Sequence, residues 1–297
     1  MKKLVNSRHA APLIALAGFS LFSFGDLILK VLSNHYSTTT IAFLTATIIL
    51  ILSIGLSFFD GGMKRILTLK DRKLHIFRGA LLTLQYLSII YAFSVMPIAN
   101  AYALLFSAPL LTALLSWVIL KERLSLKACL TIILGFIGIL IILRPGAVPI
   151  SLAAIGMLIG SLAFALSHIV VRFMKETKQP AMAWPIYAES MVVVLCLPFF
   201  LKNPEIPTLP HMGLFMICSV FALGALVAIG ASLGKGRPNQ IASMQYMQML
   251  WALFFGLAVF NDIPNAYEIS GAILVIVSGL LLLKYNNPHQ AENVTEQ

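Results

Sequence analysis

Acidic residues are scarce in this chain, 11 Asp and Glu against 21 Lys and Arg in 297 residues, giving a formal charge of +10. Charged residues of all types make up only 11%, where soluble domains carry about 25%. A chain so poor in charge and 59% hydrophobic cannot enclose its apolar surface in a soluble core, because surface scaling leaves too much of it wet. Cysteine is rare as well. Cys129, Cys196 and Cys218 all fall inside apolar stretches, and an odd set without a CxxC pair excludes a disulfide framework and reads as packing. No ligand cluster of His and Cys is present, so neither a metal nor another cofactor is expected. There is no GxxxxGK[ST], no G-x-S-x-G, no H-E-x-x-H and no pair of aspartates on facing segments. These absences argue against direct use of ATP and against an intramembrane enzyme, which needs a nucleophile, a base and a polarising group to converge.

What the chain has in abundance is apolar runs, each about 20 residues long, the length that carries a helix across a bilayer. Ten are read: Pro12 to Leu32, Thr39 to Phe59, Phe77 to Val95, Ala99 to Leu120, Lys127 to Leu143, Ser151 to Val171, Met182 to Leu201, His211 to Leu233, Ile241 to Phe260 and Tyr267 to Leu283. No charge occurs from Gly79 to Leu120, so the break between the third and fourth rests on Pro97 and Asn100. Met1-Lys2-Lys3 ahead of an apolar run resembles a secretory signal, but the run continues past Ala15-Leu16-Ala17 and reads as an uncleaved first helix.

The basic residues sit in short breaks and form no long stripe, which points away from a nucleic-acid partner. Lys2, Lys3 and Arg8 precede the first crossing. Lys64, Arg65, Lys70, Arg72, Lys73 and Arg78 lie between the second and third. Lys121, Arg123 and Lys127 follow the fourth, Arg172, Lys175 and Lys178 the sixth, Lys235 and Arg237 the eighth, and Lys284 the tenth. Only Arg144 and Lys202 fall on the other side, with Lys30 inside the first crossing. By the positive-inside rule both termini face the cytoplasm.

Five crossings per half leave the second half starting on the far side, so related halves must be inverted. Leu120-Lys121-Glu122-Arg123-Leu124 and Phe260-Asn261-Asp262-Ile263-Pro264 recur at a nearly constant separation, as do Pro97 with Pro238 and Lys30 with Arg172. The fold expected is therefore an all-α polytopic membrane protein, ten transmembrane helices in two inverted five-helix repeats. The repeats cover 1–146 and 147–285, and 286–297 form a polar cytoplasmic tail. Inverted repeats are characteristic of secondary transporters with a midplane site. A scaffold or channel subunit would need neither the inversion nor polar residues gathered in particular helices.

The stretch from Pro109 through Trp117 to Leu120-Lys-Glu-Arg-Leu-Ser125, continuing to Gly135-Phe-Ile-Gly138 and Leu143-Arg-Pro-Gly146, resembles the EamA domain of the drug/metabolite transporter superfamily. The second copy departs from it, with Asn261-Asp262 in place of Glu-Arg and Met249 where the first has Pro109. Within the superfamily, Gly25-Asp26-Leu-Ile-Leu-Lys30 with Arg78-Gly79 is similar to S-adenosylmethionine uptake carriers of intracellular bacteria. The resemblance implies a permease of the bacterial inner membrane, with its cavity among the first, third, fourth, sixth, eighth and ninth crossings. It implies a small polar or amphiphilic solute (an amino acid, S-adenosylmethionine or similar), a coupled proton or a counter-substrate, membrane lipids and, as one option, a second copy of the chain.

Candidate path residues follow from polarity in apolar helices. Asp26 and Lys30, acid first at i and i+4, share a face in the order that favours an ion pair, and charges there line a path or pair with each other. His168 stands one turn before Arg172; it can carry a coupling proton or lie at the interface. Glu189 reads as a structural partner of another helix. The third crossing offers Gln85, Tyr86 and Tyr91, and the fourth Asn100, Tyr102 and Ser107. Tyr102, Phe106 and Pro109 share one helical face, as do Gln245, Gln248 and Trp251 in the ninth. Amides with rings suit a pocket for an amphiphilic solute, and equally the glue between helices. Tyr36, Trp117, Trp184 and Tyr285 read as interface anchors, and Gly156-x-x-x-Gly160 and Gly230-x-x-x-Gly234 as points of close approach.

Overall fold

The computed structural model describes residues 10–122, 124–144, 151–175, 179–233 and 244–285, which are helical with short connections and contain no strand. The helices are α1 (Ala10–Ser33), α2 (Thr38–Ser57), α3 (Gly62–Leu67), α4 (Arg72–Val95), α5 (Ile98–Leu105), α6 (Ala108–Leu120), α7 (Leu126–Leu143), α8 (Leu152–Val171), α9 (Ala183–Lys202), α10 (Leu209–Leu233), α11 (Met247–Val259) and α12 (Ala266–Tyr285). Among the described residues nine spans are long and apolar enough to cross a bilayer, with Met247–Val259 a shorter tenth. Helices are what this composition permits, because hydrocarbon offers backbone groups no partner outside their own segment. Serines start several of them. Ser37 Oγ accepts from Thr40 N at 3.3 Å, Ser125 Oγ from Ala128 N and Ser151 Oγ from Ala154 N, both at 3.1 Å, satisfying donors that a first turn leaves free.

Cross-contacts sort the connections onto two faces. On one, Asp60 Oδ2 accepts from Met182 N and Asp71 Oδ2 from Lys175 N, both at 2.8 Å, and Glu122 meets Arg172. On the other, Ser37 N donates to Glu205 Oε2, Tyr36 Oη bonds His211 Nδ1, and Lys30 Nζ donates to Met96 O, all at 2.8 Å. The first face holds most of the described Lys and Arg and is called the basic face below.

Helix pairing is orderly: α1 runs along α10 and touches α11, while α8 runs along α4 and touches α6. Other long contacts are α2 with α9, α4 with α9 and α7 with α12. Glycines set the closest approaches. A Cβ on Gly18 would lie 2.9 Å from Ile229 of α10, and one on Gly160 2.7 Å from Ser88 of α4. At the α7–α12 crossing, Cβ atoms on Gly138 and Gly271 would lie 2.8 and 2.6 Å from each other's backbone carbonyl. The Gly156-x-x-x-Gly160 motif behaves as expected only in part. Gly160 is pressed, but Gly156 and Gly230 have open space around them, and Gly234 lies outside the described residues.

Two details go beyond the sequence reading. The fourth crossing, Ile98–Leu120, turns within its length: α5 ends at Leu105, Phe106 and Ser107 form a turn, and α6 resumes at Ala108. Pro109, with no N–H to give, removes the bond that would carry the helix through. The ninth turns in the same manner at Gln245 and Tyr246, without a proline; its expected start, Ile241, is outside the described residues. The loop between the second and third crossings also holds the short α3, entered through Gly61 and Gly62 at φ 89° and 80°. Its Ile66 packs with Leu69 against Met182, Ala183 and Ile186.

Candidate functional site

Three helices converge on a buried polar chain. α1 contributes Asp26, α5 contributes Tyr102, and α11 contributes Gln248. Tyr102 Oη donates to Asp26 Oδ2, and Gln248 Nε2 donates to Tyr102 Oη at 3.2 Å. Tyr102 is 1% and Gln248 7% exposed, so these bonds form away from lipid and water. In such surroundings an unmade hydrogen bond is expensive, so the three groups hold one another in place. Asp26 keeps partial exposure in the middle of the bundle.

Rings enclose this chain on two sides. Phe106 lies between Tyr102 and Tyr246, with centroids 5.9 and 5.1 Å away, which brings the turn of the fourth crossing against that of the ninth. On α1, Phe24 packs on Trp251 at 4.9 Å and Phe255 at 5.2 Å, while Trp251 Nε1 donates to Ser20 Oγ at 3.0 Å. Tyr86 of α4 bonds Thr45 of α2 at 2.9 Å through their hydroxyls.

Seven of the ten expected path residues are thus placed around one interior: Asp26, Tyr86, Tyr102, Phe106, Gln248 and Trp251 by these contacts, and Gln245 at the turn itself. Gln85 lies on α4 where α8 crosses it, its Cα 3.4 Å from a Cβ built on Gly160. His168, on α8, is exposed and packs tilted against Phe164, ring centroids 4.5 Å apart. Lys30 goes elsewhere. It does not pair with Asp26 but reaches Asp262 Oδ2 at 3.4 Å and Met96 O, with the Phe260 ring 4.9 Å beneath its ammonium. The cause is helix termination. α4 ends before Met96-Pro97, leaving the Met96 carbonyl without a helical donor, and a lysine stem is long enough to supply one. A cavity of about 240 Å³ opens beside them, lined by Lys30, Asn34, Phe93, Met96, Pro97 and Asp262.

Other readings shift as well. Tyr91 is 36% exposed and stands on the outer stripe of α4, and Asn100 Nδ2 donates to Glu268 at 2.7 Å. Trp117 is exposed as an anchor should be. Trp184 instead covers His75 and Arg78, and Tyr36 is tied to His211. Glu189 follows Ile186 and precedes Val192 on the packed stripe of α9, close enough to Tyr86 of α4 for its charge to act on that hydroxyl.

Residues 9–144 match the profile of the EamA-like transporter family. Solute carrier family 35 member G1 of Homo sapiens is 26% identical over 279 residues, covering 88% of this chain and 75% of that protein. The S-adenosylmethionine uptake transporter of Rickettsia bellii is 24% identical over 218 residues, covering 73% and 75%. That of Rickettsia felis is 21% identical over 261 residues, covering 88% of each. A solved crystal structure, 16% identical, superposes with a TM-score of 0.66 over 95% of this chain and 100% of its own; at that identity the likeness speaks for the fold alone. Membrane-length helices make this an integral membrane protein, and the family match with the named relatives supports a transporter of small metabolites. Its first half matches the EamA-like transporter family, and its relatives carry transporter names.

Proposed function

We propose that this chain is a secondary transporter that carries a small polar or amphiphilic metabolite (an amino acid, S-adenosylmethionine or a solute like them) across a bacterial inner membrane. It works by alternating access between two inverted five-helix halves, with both termini in the cytoplasm. The observation that carries the reading is the Asp26–Tyr102–Gln248 chain, which joins the first half to the second at the place where two crossings turn. Broken helices lining a midplane site between repeats are how such carriers expose polar backbone to a solute.

Pairing symmetry supports the inversion. α1 stands to α10 and α11 as α8 stands to α4 and α6. The fourth and ninth crossings also end alike. Lys121 and Asn261 adopt φ 57° and 53°, and the following N–H groups of Glu122 and Asp262 return to Ser116 O at 3.3 Å and Gly256 O at 2.8 Å. The concentration of Lys and Arg on one face supports the orientation. The names of the Rickettsia relatives support S-adenosylmethionine as the first solute to try.

The test is uptake of labelled S-adenosylmethionine, amino acids and nucleosides into proteoliposomes holding the purified chain, with and without a proton gradient. Accumulation of one class is expected; dependence on the gradient marks proton coupling, and dependence on internal solute marks exchange. No accumulation of any class by folded, inserted protein would overturn the reading.

A further inference from the structure

Arg78 was counted by sequence among the charges at the edge of a loop; the structure puts it inside the bundle. It stands six residues into α4, which starts at Arg72, or about 9 Å along the helix axis. Phe77, Leu84 and Tyr91 form the outward stripe of that helix, at 56%, 44% and 36% exposure. Arg78 and Gln85, themselves seven residues apart and so on a common face, lie off that stripe. Gln85 there borders α8 at Gly160, and His168, two turns further along α8, is exposed on the same packed side. An exposed imidazole on an inward face marks open space beside Arg78, whose charge acts on His168.

No ion pair among the described residues engages the guanidinium. The described ion pairs engage Lys30 with Asp262 and Arg172 with Glu122, and Arg78 Nε is enclosed with no acceptor. Among the described residues the guanidinium meets the Trp184 ring, 4.9 Å from Cζ, which supports the planar group on one face. A charge within a membrane helix that faces the interior, not the lipid, marks a solute path, and a guanidinium fork is matched by an oxyanion in two parallel hydrogen bonds.

We propose that Arg78 is an oxyanion-binding residue of the passage, with Gln85 and His168 beside it, and that it takes the carboxylate of the transported solute. The proposal deepens the transporter reading by naming a second charged station, on the basic-face side of Asp26. A solute held by both is a zwitterion, its cationic end towards the Asp26 carboxylate and its anionic end towards Arg78. The phosphate of a lipid headgroup has the same oxyanion chemistry and is the competing source.

The experiment measures ligand-induced shifts in the thermal unfolding midpoint of the purified full-length chain, a readout that does not require transport. Two probe pairs differ only in the carboxylate: S-adenosylmethionine with its decarboxylated form, and leucine with isopentylamine. In the wild type the carboxylated member of at least one pair is expected to bind more tightly by about tenfold or more. Arg78→Gln should erase that preference while leaving the amine's own shift in place. Arg78→Lys, which keeps the charge without the planar fork, should fall between, and it carries the test if the glutamine variant does not fold. Adding phosphatidylglycerol to the micelles tests the lipid source. A lipid response lost in Arg78→Gln while the carboxylate preference survives would overturn the assignment, as would a preference absent from the wild type in both pairs. Failure of uptake alongside a carboxylate preference that depends on Arg78 would sink the transporter reading and leave this site standing.

Discussion

Lys30 of the first crossing and Asp262, just after the ninth, form an ion pair at 3.4 Å that ties the two halves together on the face opposite the basic loops. Arg172 and Glu122 form its counterpart at 2.6 Å on the basic face, joining the sixth crossing to the loop after the fourth. The two are unequal in setting. Side-chain exposure is 12% and 29% in the first pair but 60% and 40% in the second. An exposed pair contributes about 0–1 kcal/mol, whereas removing one partner of a buried pair costs about 3–5 kcal/mol, an upper bound for a pair as partly wetted as Lys30 and Asp262.

Lys30→Asp is therefore expected to lower both thermal stability and uptake, and Asp262→Lys likewise. The double swap should recover much of each loss, whereas Arg172→Ala should shift the unfolding midpoint little. Measuring all four variants by thermal unfolding and uptake checks this; a swap no better than its worse single variant would show that the charges do not act as a pair.

Asp26→Asn removes the charge but keeps an acceptor for Tyr102. Tyr102→Phe takes the shared hydroxyl from Asp26 and Gln248, at about 1–3 kcal/mol. Each should reduce uptake about tenfold or more at unchanged abundance. Gln248→Ala should raise KM by a smaller factor, and Gln245→Ala should alter selectivity. Kinetics compared with membrane abundance separate these outcomes from misfolding, and unchanged kinetics in the first two variants would reduce the chain to packing.

Gly271→Ala places a methyl group 2.6 Å from the Gly138 carbonyl, where backbone on both sides leaves nothing that can move aside. A destabilisation of about 1–3 kcal/mol is expected, as for other overpacked contacts. Gly156→Ala, with nothing within 4 Å, should be neutral or slightly stabilising through helix propensity. Thermal unfolding in one detergent ranks the two.

Glu205 lies in the loop between α9 and α10. Burial works to raise its pKa, but hydrogen bonds from Thr40 and from the backbone and side chain of Ser37 outweigh it and hold the carboxyl below its ordinary range. A depressed folded-state pKa stabilises the fold above the unfolded value of about 4.3 and is lost as pH falls through the folded value. The wild type should therefore be more stable than Glu205→Gln at neutral pH, and the gap should close only below the usual carboxylate range. A gap independent of pH would assign the difference to geometry.

Much of this was legible in the sequence for a simple reason: lipid allows only closed backbone, so the length of an apolar run nearly dictates its structure. The helices and the identity of Asp26, Tyr102 and Gln248 as inward polar groups follow from that. What remained hidden depends on where helices stop. Lys30 shares a face with Asp26 by spacing, yet it serves the Met96 carbonyl and Asp262, a pairing no local pattern encodes. Arg78 looked like a loop charge because α4 starts five residues earlier than its apolar run, at Arg72 in place of Phe77, which draws the arginine into the bundle. The turn at Phe106 had a visible cause in Pro109; the matching turn at Gln245 had none.

The contact of Gly138 with Gly271 carries one last consequence. Two backbones already touching cannot slide or approach further, so α7 and α12 must swing, if they move at all, about a fixed fulcrum. Spin labels placed either side of that crossing should keep one separation through a full transport cycle, while labels on α1 and α11 change theirs.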